Sequence, residues 1–299
     1  MKIIVTGSLG HISQPLATAL VQQGHRVTVI SSKADRGKAI EALGATAAIG
    51  SLEDVGFLSA TFAGADAVYC MIPPNNYFDP TLDLLAYYDR IATNYAEAIQ
   101  QSGVKRVVYL SSIGAHLDKD SGILLGHHNG ERIMDNLVDV AITFMRPAGF
   151  YYNLYGFVNL IKQAGYIAAN YGADEELIWV SPIDIAAAVV DELEDKRPLP
   201  RNVRYVASDE LTGHETARIL GEAIGMPDLQ WILISSKESR KGLEAIGMNP
   251  AIAAGLVDMF ASQHNGILTA DYYRNKPTRM GNVKITDFAK EFAAVFSQK

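Results

Sequence analysis

The chain has 299 residues, enough for one large α/β unit or a core domain with a smaller lobe. Lys plus Arg number 26 against 33 Asp plus Glu, and the formal charge of −7 argues against a sequence-independent nucleic-acid surface, which wants a basic stripe. A single cysteine, Cys70, excludes an intrachain disulfide and fits a reducing compartment.

The first predicted strand, Ile3 to Thr6, runs straight into Gly7-Ser8-Leu9-Gly10-His11-Ile12-Ser13 and then a helical pattern through Leu16, Leu20 and Val21. A glycine turn between a buried strand and a helix aims backbone N–H groups and the positive end of the helix dipole at an anion, most often a dinucleotide pyrophosphate. The familiar spacing is G-x-G-x-x-G, whereas this chain reads G-x-x-G-x-x-S, with Ser13 as the nearest small substitute at the helix-packing position. Gly7, Leu9, Gly10, His11 and Ile12 are therefore the first cofactor-binding candidates.

Further strands are predicted at Arg26 to Ile30, Ala45 to Gly50, Ala67 to Ile72, Arg106 to Ser111 and Ala141 to Met145, separated by helical patterns. Near-continuous apolar strands spaced by helices imply parallel pairing with both faces covered, so the expected fold is α/β, a doubly wound parallel sheet of the Rossmann type. Such sheets bind ligands at the carboxyl ends of their strands. After the second strand, Ser32, Lys33 and Arg36 stand where an acidic residue would hold a ribose 2′-hydroxyl, a set that favours a 2′-phosphate and hence NADP over NAD. After the third, Ser51 with Asp54 is read as a capping pair. After the fourth, the stiff Ile72-Pro73-Pro74 loop is expected along the cofactor, and Cys70 is read as a buried thiol. The fifth delivers Ser112, a candidate hydrogen-bond donor to a substrate carbonyl.

Beyond residue 150 the alternation lapses. Phe150, Tyr151, Tyr152, Tyr155 and Phe157 offer stacking walls for a flat molecule, although at least half are expected to pack the junction with a smaller lobe. Asp184 is read as structural at a helix start, Thr212 with Glu215 as a capping box, and Leu229 to Ile234 as a strand. The expected division is a dinucleotide-binding domain over 1–150, rejoined by 179–208, with 151–178 and 209–299 forming a smaller, mostly helical C-terminal lobe on the substrate side.

In order along most of its length the chain carries Thr6-Gly7-Ser8-Leu9-Gly10, Gly44-Ala45 with Leu52-Glu53-Asp54, Val104 to Ser112, His127 with Glu131, Thr143 to Phe150 with Asn153, and Val180 to Ala186. In these it resembles the NmrA-like branch of the atypical short-chain dehydrogenase/reductases, including the NAD(P)H:quinone reductases of that branch. The resemblance implies a reductase, with Phe150, Tyr151 and Asn153 at the substrate pocket. Related dehydrogenases use a Tyr-x-x-x-Lys pair, and here neither residue is present: His127 stands in the tyrosine slot and Glu131 in the lysine slot, or, one residue on, His128 with Arg132. Either pair shares a helix face. His127, Glu131 and Ser112 are the catalytic candidates. A quinone acceptor tolerates the missing acid, since its reduced oxyanion is delocalised and takes a proton from water. The resemblance also allows a non-catalytic NAD(P)-binding redox sensor that signals through a protein partner.

No metal is expected, because no His, Cys, Asp or Glu set has ligand spacing. With no leader before Lys2 and no apolar run of membrane length, the expected protein is soluble and cytoplasmic, without a membrane or a direct nucleic-acid partner, a monomer or homodimer acting on a small quinone-like molecule.

Overall fold

A computed structural model describes residues 1–298. The first half alternates β1 (Lys2–Val5), α1 (Ser13–Gln22), β2 (Arg26–Ser31), α2 (Gly37–Ala42), β3 (Thr46–Ile49), α3 (Val55–Phe62), β4 (Ala67–Cys70), α4 (Leu84–Ser102), β5 (Arg106–Leu110), α5 (Leu125–Asp135) and β6 (Ala141–Pro147). The second half adds β7 (Gly149–Phe150), α6 (Val158–Ala164), β8 (Tyr166–Ala169), β9 (Glu176–Val180), α7 (Pro182–Glu194), β10 (Arg201–Val206), β11 (Asp209–Thr212) and α8 (Gly213–Ala223). It ends with β12 (Gln230–Leu233), α9 (Ser236–Ala245), α10 (Pro250–His264), α11 (Ala270–Arg274) and α12 (Ile285–Phe296).

Seven strands form one parallel sheet in the order β10-β6-β5-β4-β1-β2-β3. Their composition explains it: all four residues of β4 and six of the seven of β6 are buried, as strands covered on both faces must be. On one face α1 and α7 pack Leu16, Leu20, Ile185 and Val189 over Ile3, Val5 and Val29. On the other, α3, α4 and α5 bring Leu58, Phe62, Ile91, Tyr95 and Met134 against Ile4, Val68 and Tyr109. The architecture is the doubly wound Rossmann type, and the chain reverses direction along the sheet between β1 and β4, which opens a crevice at their carboxyl ends.

The remaining strands build two small sheets, β11-β9-β7 and β12-β8, over a third core around Tyr151, Leu154, Trp179, Trp231, Phe288 and Phe292. Thus β10 lies in the main sheet and α7 packs against α1, whereas Trp179 and Val180 pair with β11 and β7. The smaller lobe is mostly helical but carries these short sheets. One expectation needs correcting: α3 is capped by Asp54, whose carboxylate accepts from Phe57 N at 3.0 Å, while Ser51 accepts from Glu53 N at 3.1 Å in the preceding turn. The Thr212–Glu215 capping box forms as read. Among the described residues, no helix is long and apolar enough to cross a membrane.

Candidate active site

Gly7 leaves β1 with φ of +90°, a conformation that L side chains rarely adopt, and a Cβ there would lie 2.6 Å from Ser13 Oγ and 2.8 Å from Met71 Sδ. The turn closes with Gly10 N donating to Gly7 O at 3.2 Å. Ser13 fills the third-glycine position by bonding back, its hydroxyl donating to Thr6 O at 2.8 Å, and Thr6 Oγ1 in turn accepts from Met71 N at 2.9 Å. Helix α1 thus starts flush against β1 and β4. Its N-cap, Ile12, is buried, offers no side-chain cap, and no acidic residue stands in the first turn. The first-turn N–H groups and the positive dipole end face the turn without a carboxylate in competition, which suits a bound diphosphate.

At the tip of β2, Ser8 Oγ donates to Ser31 Oγ at 2.9 Å, and Ser31 Oγ accepts from Lys33 N at 3.1 Å. Ser32, Lys33 and Arg36 are exposed around this tip. Ser31 is a residue that sequence reasoning missed, because a buried serine ending a strand reads as part of the strand. Across the crevice, Met71 O accepts from Tyr95 OH at 2.7 Å and Pro73 O from Tyr87 OH at 3.1 Å, so α4 fixes the start of the 72–76 loop. Ile72 is buried, Pro73 half-buried and Pro74 exposed. From the lobe, Asn249 caps α10 and also donates to Asp79 O and Leu82 O, holding the far end of that loop.

An aromatic row spans the mouth between the turn and the lobe. His11 stacks on Tyr152 with centroids 4.8 Å apart and planes at 29°, and Tyr152 meets Phe150 at 5.1 Å. Burial, reinforced by neighbouring Tyr77, pushes the Tyr152 phenol up to about 12, so it stays neutral. The sequence placed His11 and Phe150 in two separate sites, and the fold brings them together through Tyr152. Tyr151 instead sits in the lobe core, its hydroxyl donating to Asp209 at 2.6 Å and its ring stacked on Phe288. Asn153 is exposed.

On α5, His127 and Glu131 turn to different neighbours. The His127 ring stands edge-on to Tyr88 at 5.0 Å with Nδ1 buried and unpartnered, and burial pushes it down to about 4. It is neutral at pH 7, carrying no imidazolium proton to donate, and burial makes it a weaker base than a free imidazole. Glu131 is gripped by Arg146, Nε to Oε1 at 2.9 Å and a terminal nitrogen to Oε2 at 2.6 Å, and its Oε1 also accepts from Ser111 Oγ at 2.5 Å. Burial alone would lower the Arg146 guanidinium, but the hydrogen bonds and charge of Glu131 outweigh it and hold it above its ordinary value. Arg146 reaches on to Tyr205 OH and Asp271, each at 3.2 Å. Ser112 is half-buried one residue beyond this network, and His128 Nδ1 donates to Ala115 O at 3.0 Å. Arg146 was legible only as part of the Arg146-Pro147 motif, because its partners lie far away in the chain.

Comparison with known proteins places the fold and the family. A curated relative from Streptomyces griseus, a (4-alkanoyl-5-oxo-2,5-dihydrofuran-3-yl)methyl phosphate reductase, is 24% identical over 99% of both chains. Among solved structures, the NADPH-dependent quinone oxidoreductase of Escherichia coli in complex with NADPH superposes with a TM-score of 0.80 at 17% identity, covering 97% of this chain and 99% of that one. The triphenylmethane reductase of Citrobacter sp. in complex with NADP(H) gives 0.77 at 18%, with 97% and 99% covered. The model of the NmrA-like family matches residues 1–251, and with the glycine turn, sheet order and Arg146-Pro147 strand end in place, the chain belongs to the NmrA-like family.

Proposed function

We propose that the protein is an NADPH-dependent reductase that passes hydride to a flat conjugated carbonyl acceptor, a quinone. The observation that carries this reading is the uncapped start of α1 behind a turn that a Gly7 Cβ would fill, lying beside the His11–Tyr152–Phe150 row. The main chain of Gly7 to Ile12 would hold the pyrophosphate, with Leu9 packed against the core beneath it. Ser32, Lys33 and Arg36 would take the 2′-phosphate, and Ile72 to Pro74 would flank the nicotinamide half. Bound NADPH supplies the hydride. The aromatic row offers a flat acceptor a stacking surface, so that positioning provides most of the acceleration. Ser112, half-buried just beyond β5, is the proposed donor to an acceptor carbonyl. His127, half-buried with a neutral ring, and Glu131, held by Arg146, leave final protonation of a reduced quinone to water. The relatives are named for reduction of an oxo-dihydrofuran, a quinone and triphenylmethane dyes, which supports an unsaturated small-molecule acceptor.

The same two α5 residues favour a second reading, a cofactor-binding redox sensor acting through a protein partner, since neither is poised as an acid. Mixing the pure protein with NADPH and a small quinone and following nicotinamide absorbance separates the two. Oxidation above the blank supports the reductase; binding of NADPH without oxidation across several quinones turns the assignment to the sensor.

A further inference from the structure

Tyr151 and Tyr152 follow β7 and turn to different neighbours. Tyr151 enters the lobe core, and its hydroxyl is spent on Asp209. Tyr152 lies at the edge of that core, where His11 of the glycine turn and Phe150 of β7 hold its ring. The faces of the ring are thus engaged from both halves of the molecule, and its polar end is left to meet a ligand.

The other phenols around the crevice set Tyr152 apart. Tyr87 and Tyr95 donate to the carbonyls of Pro73 and Met71, Tyr205 to Asp271 and Tyr272 to Glu210. Tyr69 and Tyr109 have hydroxyls sealed from solvent without a partner. The Tyr152 hydroxyl belongs to neither group: among the described residues it has no hydrogen-bond partner, and on a half-buried side chain it is not sealed. The phenols of Tyr77, Tyr69 and Tyr88 lie within electrostatic reach of it, which sets it between the lobe and the end of β4, beside the loop proposed to flank the nicotinamide half. Burial, reinforced by Tyr77, keeps it protonated. It is a donor that the protein leaves without an acceptor.

We propose that Tyr152 is a catalytic hydrogen-bond donor to a carbonyl oxygen of the acceptor. The inference rests on the reductase reading and deepens it, because a site with this donor selects acceptors that carry a carbonyl. A para-quinone has two such oxygens, and Ser112 approaches from the main sheet while Tyr152 approaches from the lobe. The quinone takes a hydride from the reduced nicotinamide, which is left oxidised: an O–H bond forms at one carbonyl as the nicotinamide C–H bond breaks, and the displaced π electrons move through the ring to the other oxygen. Tyr152 donates to that oxygen and keeps its own proton, and water supplies the proton that completes the quinol. A donor aimed where charge develops counts for more in the transition state than in the bound quinone.

Tyr152→Phe keeps the ring, its stack on His11 and its contact with Phe150, and removes only a hydroxyl without a protein partner, so the variant folds as the parent does. With NADPH and 2-methyl-1,4-naphthoquinone, kcat in this variant should fall by about tenfold to a hundredfold while NADPH affinity stays within about twofold. An unchanged kcat overturns the proposal. The anion of 2-hydroxy-1,4-naphthoquinone, whose charge is spread over its oxygens, reads the same bond without turnover. Calorimetry in the presence of NADP+ should show it binding the parent about tenfold more tightly than Tyr152→Phe. Equal affinity, or no binding to the parent, overturns the proposal. A parent that binds this anion more tightly than the variant yet oxidises no NADPH with any quinone fails the reductase reading and leaves the Tyr152 hydrogen bond standing.

Discussion

Gly7 couples backbone strain directly to ligand space. Adding one methyl forces a left-handed L residue and pushes it into Ser13 and Met71, so Gly7→Ala should lower stability by about 2 kcal/mol. It should also weaken NADPH binding more than the stability loss accounts for, as read by calorimetry on the folded fraction. His127 offers a pH signature. Its folded value lies below the ordinary 6.5, at about 4, so the unfolded chain binds the additional proton between those values. Its contribution is complete above pH 6.5 and is lost as pH falls towards 4, by up to about 3 kcal/mol. Urea unfolding from pH 7 to pH 4 should therefore be less acid-sensitive in His127→Phe than in the parent; parallel profiles would remove the buried, neutral assignment. Reading the residues alone put His127 and Glu131 on one helix face, which is correct as geometry. It gave no sight of Tyr88 or Arg146, which decide what each side chain does.

At the scale of elements, the crevice is held open by clamps from opposite directions. Tyr87 and Tyr95 of α4 bind the start of the 71–83 segment, and Asn249, entering from the lobe at the start of α10, binds its later part at Asp79 and Leu82. Asn249 is also the α10 cap, so Asn249→Ala removes a cap and two loop bonds together, at a cost of about 2 kcal/mol. Hydrogen exchange should quicken across 72–83 and the first turn of α10 while β4 stays protected; protection unchanged in the loop would show that α4 suffices. The main strands were legible because burial on both faces makes them nearly continuous apolar runs. Of the small sheets, β12 was legible as the Leu229 to Ile234 run, whereas β7 and β11 were not, since β7 has two residues and β11, Asp-Glu-Leu-Thr, shows neither alternation nor an apolar run.

Across the whole molecule, Arg146 is where five elements meet. It draws Glu131 of α5, Tyr205 of β10 and Asp271 of α11 to the end of β6, with Ser111 after β5 joining through Glu131. Arg146→Met leaves the Glu131 carboxylate buried without its counter-charge and should cost about 3–5 kcal/mol in chemical denaturation. The pair Arg146→Met with Glu131→Leu should recover most of that, because exchanging both charges for apolar groups removes the unpaired ion. A double variant as unstable as the single one would point to the Tyr205 and Asp271 bonds instead. The Arg146–Asp271 contact joins residues 125 positions apart, and the His11–Tyr152 stack crosses a similar span. Spacing and periodicity carry no trace of either. The fold class and the glycine turn between β1 and α1 were thus readable from local pattern, whereas the joining of turn, aromatic row and lobe depended on long-range packing.

Asp184 shows the same reach with another outcome. Its buried carboxylate, on the first turn of α7, accepts from Ser208 Oγ at 2.7 Å and from the amides of Asn282 and Val283 at 2.9 and 3.1 Å. Gly281 passes so close that a Cβ there would lie 2.2 Å from Asp184 Oδ2. During synthesis on the ribosome, α7 emerges nearly a hundred residues ahead of those amides, and until they arrive the nascent domain carries a charge that it cannot bury. Final closure of the core around α7 therefore waits on translation of residues 281–283, and a product truncated before them would present that defect to cellular proteases.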